Sequence, residues 1–313
     1  MRVLEGLDTF DPAIYPKPVL ALGNFDGVHL GHQAIFQQVK THARATGGAS
    51  VVFTFEPHPL RVLRPAQAPP LLTTFEQKMR LIAAEGMDVV LRVPFTDAFA
   101  QQSPEDFIRH VLRDRIGSHE LVVGHDFRFG HNRSGTADEL KAHGLVYGYR
   151  ATIVPAISVA DMTVSSSNIR RLLKQGDVDI ASRLLGRLYA IEGPVIEGFR
   201  RGATIGFPTA NVQSINEIVP HTGVYAVRVA WQGRRYAGVS NVGYNPTFAN
   251  PTLSVEAHLF DFAADLYGET IRVEFVRKIR DERKFASVDE LTKQIAQDAL
   301  TARAIHAEQP SSA

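Results

Sequence analysis

"VLALGNFDGVHLGH", residues 19–32, runs from a short apolar stretch into glycines, an asparagine, an aspartate and two histidines three apart. Val19–Gly23 reads as a buried strand. From about Gly31 to Ala45, Ile35, Val39 and Ala43 recur at helical spacing, so the polar stretch joins a strand to a helix. The same rhythm continues outward. "SVVFTF" (50–55) is β-branched and aromatic, hence a strand. Thr74 with Gln77 three later has the form of a capping box, opening a helix to about Glu85. "DVVLRV" (88–93) follows as a strand, and Ser103-Pro104 opens a helix to about Ile116. "ELVVG" (120–124) and residues 151–154 are further strands. Strands that alternate with helices imply βαβ units and a parallel, Rossmann-like sheet.

After about Leu185 the pattern changes. Residues 223–243 read as two strands joined through Gln232-Gly233, and "LSVEAHLFDF" (253–262) and "TIRVEFVRKI" (270–279) as two more. Ser287 with Glu290 caps a final helix to about Ile305. The expected architecture is an α/β domain over residues 1–185, followed by a small antiparallel β-barrel and a C-terminal helix over 186–313. Only the tail "EQPSSA" looks low in complexity.

Composition limits the function. The 313 residues are 44% hydrophobic and 21% charged, with 34 basic against 33 acidic residues. That balance argues against broad electrostatic binding to nucleic acid or membranes. With no cysteine, disulfides, thiolate metal sites and a cysteine nucleophile are excluded. The opening "MRVLEGLDTFDP" lacks an apolar signal region, and no apolar run approaches the roughly 18 residues of a membrane span. The expectation is a cytoplasmic protein acting on small molecules. An oligomer is possible, but the sequence predicts none.

His29 and His32 share a face near a helix start, where free backbone N–H groups attract anions. They suit hydrogen bonds to phosphate oxygens. A metal pair is the rival reading, although no third ligand stands at a recognisable spacing. "VSSSNIRRLL" (164–173) offers a second phosphate grip in its serine hydroxyls and Arg170, and serines before a helix also serve as caps. "TFEPHP" (54–59) and "VGHDFRFGHNRSG" (123–135) follow strands, where ligands of open α/β sheets collect. Phe127 and Phe129 suit either the core or a flat aromatic ligand. In "GFRRGATIGFPTANV" (198–212), Thr209 and Asn211 stand two apart, on one face of a strand, as oxygen ligands for Mg²⁺. Glu256 lies in a strand among apolar neighbours, a candidate base for a hydroxyl proton.

"GNFDGVHLGH" closely resembles the nucleotide-binding signature of the HxGH nucleotidylyltransferases. With "PTAN", "NVGYNPTF" (241–248), "ADLYGETIRVEF" (264–275) and "KFASVDEL" (284–291), the chain resembles the bacterial bifunctional riboflavin kinase/FMN adenylyltransferases from about Val19 to Arg303. The resemblance implies that the first domain adenylylates FMN to FAD and the second phosphorylates riboflavin to FMN. ATP would be the co-substrate of both steps, with Mg²⁺ as cofactor. It implies that His29 and His32 stabilise ATP phosphates, with Gly23, Asn24, Phe25 and Asp26 shaping that site. Ser165, Ser166, Ser167 and Arg170 would bind phosphate; the family usually has threonine at the position of Ser167. His58, Asp126 and Phe129 would lie near the flavin. Gly206, Thr209 and Asn211 would hold Mg²⁺-ATP, with Glu256 as the kinase base. Three other functions share parts of the pattern: a nucleotidylyltransferase for another phosphorylated substrate, a non-enzymatic flavin-binding protein, and a kinase with a vestigial first domain.

Overall fold

The computed structural model describes residues 1–198, 206–245 and 252–308, and its contacts divide the chain into Met1–Val164 and Ser165–Ala313. In the first unit the strands are β1 (Arg2–Glu5), β2 (Val19–Leu22), β3 (Ser50–Phe55), β4 (Val89–Val93) and β5 (Glu120–Gly124). A short ribbon of β6 (Arg128–Phe129) and β7 (Gly135–Thr136) follows, then β8 (Arg150–Val154) and a second ribbon, β9 (Ser158–Val159) with β10 (Met162–Thr163). The helices are α1 (Leu30–Thr46), α2 (Pro59–Leu63), α3 (Phe75–Ala84), α4 (Asp97–Ala100), α5 (Pro104–Asp106) and α6 (Ala137–Tyr147).

The large sheet is parallel, in the order β1-β4-β3-β2-β5-β8. Side chains alternate across β2, and both of its faces are covered, as a parallel sheet requires. Leu20 and Leu22 join one core with Phe107, Ile108, Val111 and Leu112. Val19 and Ala21 join the other, with Ile35, Phe36, Val39 and Ala43 of α1. Each large apolar side chain taken fully from water contributes roughly 1.5–3 kcal/mol.

Two features of this unit were not marked in the sequence. β1 is a four-residue edge strand, too short to show a period. The helix from Ser103 is wound more widely than an α-helix over Phe107–Arg115, although Ser103 still caps it by accepting the Asp106 N–H at 3.1 Å. The same apolar residues face the core whichever winding is used, so the sequence pattern does not separate the two.

The second unit begins with α7 (Ser166–Gln175) and α8 (Val178–Leu185). β11 (Tyr189–Ile196), β12 (Ala210–Val212), β13 (Gly223–Trp231), β14 (Arg234–Asn245), β15 (Thr252–Leu259) and β16 (Thr270–Arg280) follow, then α9 (Val288–Glu308). The six strands close into an antiparallel barrel in the order β11-β12-β15-β14-β13-β16. Gln232 (φ 47°) and Gly233 (φ 75°) form the two-residue turn between β13 and β14, where left-handed residues match the strand twist. Val212, Val255, Val242, Val227, Val273 and Ile191 alternate on their strands, are all buried and fill the interior. Ala302 and Ile305 of α9 cover Val224, Ala226, Val239, Phe260 and Val276 outside it. Arg280 anchors the helix through Asp298, with Nη2 at 2.7 Å from the carboxylate.

The Leu173 carbonyl accepts the His221 N–H at 2.9 Å, and a Cβ on Gly176 (φ +85°) would lie 2.9 Å from the Tyr225 hydroxyl. These contacts place α7 and α8 in the barrel's unit. Division by compactness therefore falls ahead of α7, whereas the barrel strands start just after Gly186, the left-handed cap of α8.

Candidate active sites

The chain leaves β2 toward β3 and β4 on one side of the sheet and reaches β5 and β8 on the other. The carboxyl end of β2 is thus the switch point where open α/β sheets place ligands. "GNFDGVHLGH" occupies that end. Its turn is left-handed at Phe25 (φ 52°), Gly27 (φ 83°) and Val28 (φ 41°). Glycine adopts this conformation without penalty, but a side-chain-bearing residue there costs on the order of 1–3 kcal/mol and needs its surroundings to hold it. A Cβ on Gly27 would also meet Leu72 Cδ1 at 2.7 Å.

Several groups hold the turn. The buried Asp26 carboxylate accepts the Leu72 N–H at 2.9 Å and the Thr73 N–H at 3.3 Å, tying the turn to the segment before α3. Gln33 Nε2 donates to the Val28 carbonyl at 2.9 Å. The Asn24 carbonyl accepts the Thr54 hydroxyl at 3.3 Å and the Lys78 ammonium at 3.4 Å. The Phe25 ring folds back over Gly23, where a Cβ would lie 3.0 Å from it, and packs on Phe36 at 4.8 Å.

His29 caps α1: its Nδ1 accepts the His32 N–H at 3.4 Å. In the neutral ring the proton then sits on Nε2, the nitrogen able to donate to a phosphate oxygen. The two imidazoles stack, with centroids 3.6 Å apart and planes inclined by 19°. Gly31 makes room for this: a Cβ there would lie 3.1 Å from His29 Cε1. Two parallel rings at a helix N-terminus form a donor pair for anionic oxygen. No group of three or more His, Cys, Asp or Glu side chains among the described residues is arranged to hold a metal ion.

His58 Nε2 lies 3.3 Å from Asn24 Nδ2, and with Asn24, Asp26, Phe55, Glu56, Leu71, Thr73, Phe75 and Lys78 it lines a small cleft. Asp126 is exposed on the loop after β5. Phe129 is buried at 7% exposure and packs on Phe107 and Phe127, so it takes the core fate. Ser165 caps α7 by accepting the Asn168 N–H at 3.2 Å, and Ser166 begins the helix. Ser167 is exposed and Arg170 half-buried. These four residues fall within the second compact unit.

On the barrel, Asn211 is paired across β12 and β15 with Glu256, and Glu256 across β15 and β14 with Asn241. Their neighbours Ala210, Val212, Val255, Ala257, Ser240 and Val242 are buried, so Asn211, Glu256 and Asn241 form a row on the outer face. Thr209 directly precedes β12. His258, two after Glu256, donates from Nδ1 to the Pro208 carbonyl at 2.8 Å and meets the Phe207 ring, fastening "FPTAN" against β15. A Cβ on Gly198 would overlap the Asn211 carboxamide. Gly206 is exposed, with φ +87°. Residues 199–205 of the "GFRRGATIGFPTAN" stretch, 246–248 of "NVGYNPTF" and most of the tail lie outside the described residues.

Sequence reading missed Lys78, and it gave Thr54 and Asn241 no part of their own within "TFEPHP" and "NVGYNPTF". Lys78 had a usable signal. It stands four residues before Ile82, on the face of α3 that is buried, where a lysine is rare. Burial pushes its ammonium below the ordinary lysine range, opposed by the Glu56 and Asp26 charges. Asn241 becomes legible only through strand register.

Comparison with known proteins follows the same two units. The family model of FAD synthetase matches residues 11–168, and that of riboflavin kinase matches 185–306. The bifunctional riboflavin kinase/FMN adenylyltransferase of Escherichia coli is 40% identical over 304 residues, covering 97% of each chain. That of Bacillus subtilis is 43% identical over 291 residues, covering 90% of each. A solved structure from Streptococcus pneumoniae, described as a macrolide-efflux protein, is 31% identical with a TM-score of 0.87, covering 96% of this chain and 98% of its own. That description is its own; among the described residues here, no helix is long and apolar enough to cross a membrane. Two domain matches in order and full-length relatives of one name agree: the chain belongs to the bifunctional riboflavin kinase/FMN adenylyltransferase family, forming FMN from riboflavin and FAD from FMN.

Proposed function

We propose that Glu256 is the general base of the kinase step and that His29 and His32 stabilise phosphate charge in the adenylylation step. The observation that carries this is the cross-strand register that sets Glu256 directly beside Asn211 on the outer face of the barrel. In the kinase reaction Glu256 takes the proton of the ribityl 5′-hydroxyl as its oxygen attacks the γ-phosphorus of ATP. The new O–P bond forms while the bridge to the β-phosphate breaks, and ADP leaves. Thr209 and Asn211 fit Mg²⁺, since a hydroxyl and an amide carbonyl are the hard oxygen donors it prefers. With so few protein donors, the ion would keep water and ATP oxygens as its other ligands. When bound, it neutralises charge on the transferring phosphoryl group. Gly206 lets the backbone pass close to the nucleotide.

In the adenylylation reaction an FMN phosphate oxygen attacks the α-phosphorus of a second ATP, and pyrophosphate leaves. A phosphate ester is already ionised at neutral pH, so this site needs charge stabilisation rather than a base. His29 and His32 supply donors, and Gly23, Asn24, Phe25 and Asp26 hold the turn that carries them. Ser165, Ser166, Ser167 and Arg170, at the start of α7, carry donors suited to phosphate. His58 and Asp126 stand by the flavin, with Phe129 supporting the loop from beneath. We place the chain in the cytoplasm: both steps consume ATP, and no described helix has the make-up of a membrane span. No nucleic-acid or membrane partner enters this reading.

Gly198→Ala tests the kinase half without touching a reacting group. The added methyl displaces the Asn211 carboxamide, so kcat/KM for FMN formation falls at least tenfold, while FAD formation from supplied FMN is unchanged. Chromatography of products from riboflavin, ATP and Mg²⁺ reads both. Unchanged FMN formation would remove Asn211 from the site.

A further inference from the structure

Lys78 is only 7% exposed, and burial of an ammonium is unfavourable. Its Nζ hydrogen-bonds two neutral oxygens, the Asn24 carbonyl at 3.4 Å and the Thr54 hydroxyl at 3.5 Å. Asp26 and Glu56 act on it as charges and not as hydrogen-bond partners. Helix stability gives no reason for such a residue: the Thr74–Gln77 capping box already satisfies the start of α3, and its buried face continues with Ile82. A methionine would fill the same space without the desolvation cost.

What the ammonium does hold is the first residue of the left-handed turn. Asn24 precedes Phe25, Gly27 and Val28, whose conformations decide where His29 begins α1 and hence where both imidazoles lie. Asp26 fixes the middle of the turn and Gln33 its end. At its start His58 meets the Asn24 side chain, while Thr54 and Lys78 hold the Asn24 carbonyl, and a charged donor makes a bond roughly twice as strong as a neutral one. We propose that Lys78 is a positioning residue of the adenylylation centre, its ammonium holding the Asn24 carbonyl and, through it, the turn that aims His29 and His32. This rests on the reading of those histidines as the phosphate-contacting pair.

The test uses the full chain with Lys78→Met, Lys78→Gln and His29→Asn. Displacing catalytic groups by about an ångström costs up to about 100-fold in rate, so Lys78→Met lowers kcat for FMN-to-FAD conversion about 30-fold. KM for ATP and FMN stays within about twofold, as for an interaction felt in the transition state. Lys78→Gln, whose amide still donates a hydrogen bond, loses only about threefold to tenfold. Riboflavin kinase activity is unchanged in both, and the thermal midpoint of Lys78→Met is equal to or above that of the parent, an outcome a merely structural lysine would not produce. A folded Lys78→Met or Lys78→Gln chain with kcat within twofold of the parent overturns the proposal, as does a raised KM with kcat retained. His29→Asn separates the two levels. If it keeps full FAD formation, the reading of the histidine pair has failed; if it loses FAD formation while Lys78→Met does not, only the positioning role has failed.

Discussion

Replacing Glu256 with alanine abolishes FMN formation and leaves conversion of supplied FMN to FAD intact. A primary alcohol is a poor nucleophile at neutral pH, and a positioned base is worth on the order of 10²- to 10⁴-fold. Loss of that factor takes kcat to the limit of detection. Glu256 is placed to be removed without harm to the fold. It lies in the outer-face row with Asn211 and Asn241, whereas the interior is filled by its neighbours Val255 and Ala257. No cavity opens, and the thermal midpoint stays within the small range usual for surface changes. Glu256→Gln keeps the shape and should lose nearly as much, which separates proton transfer from packing. Equal loss of both reactions in a folded variant would contradict the division of labour.

The converse change has an effect as large. His29→Asn combined with His32→Ala stops FAD formation and spares the kinase. Removing one preorganised donor at a site of developing charge costs about 10²- to 10³-fold, and two stacked imidazoles act together. Asparagine is chosen at position 29 because His29 also caps α1 through the His32 N–H, and losing a cap costs about 1 kcal/mol of stability. Asparagine is among the best caps, so the helix start survives while the imidazole is lost. Retained FAD formation in this chain would deny the pair its role.

Much of the fold was legible because local chemistry and global architecture agree. The apolar runs at β2, β3 and β5 are buried strands of a parallel sheet, and Thr74 and Gln77 form both halves of the expected capping box. Ser287 accepts the Glu290 N–H at 3.2 Å, but the Glu290 carboxylate turns back to the Ala286 N–H at 3.1 Å, one residue earlier than a capping box requires. What the sequence did not carry are facts of packing. β1 pairs with β4 across 87 positions of chain, from Arg2 to Val89, and no local signal announces such an edge. The attachment of α7 and α8 to the barrel depends on Gly176 lying against Tyr225, which a helical period does not express.

The sites divide along the same line. The imidazole pair is local in sequence, three residues apart, and its stacking needs only α1 and Gly31. Asn211 lies in β12, where strand alternation sets its side, and Thr209 directly precedes that strand. Glu256 stands 45 positions from Asn211 and meets it only through the register of β12 with β15. Asp26, expected near the nucleotide, spends its carboxylate on the Leu72 and Thr73 N–H groups and shapes the turn. Phe129 is drawn into an aromatic core with Phe107 and Phe127 that a loop sequence does not reveal.

The central claim is that one chain holds two independent ATP-using centres. Its most direct measurement mixes the Glu256→Ala chain with the His29→Asn/His32→Ala chain and supplies riboflavin, ATP and Mg²⁺. Neither variant alone makes FAD from riboflavin, and the mixture makes it after FMN released by the second chain has accumulated. A mixture in which FMN builds up and no FAD follows, or one variant that makes FAD unaided, contradicts the account.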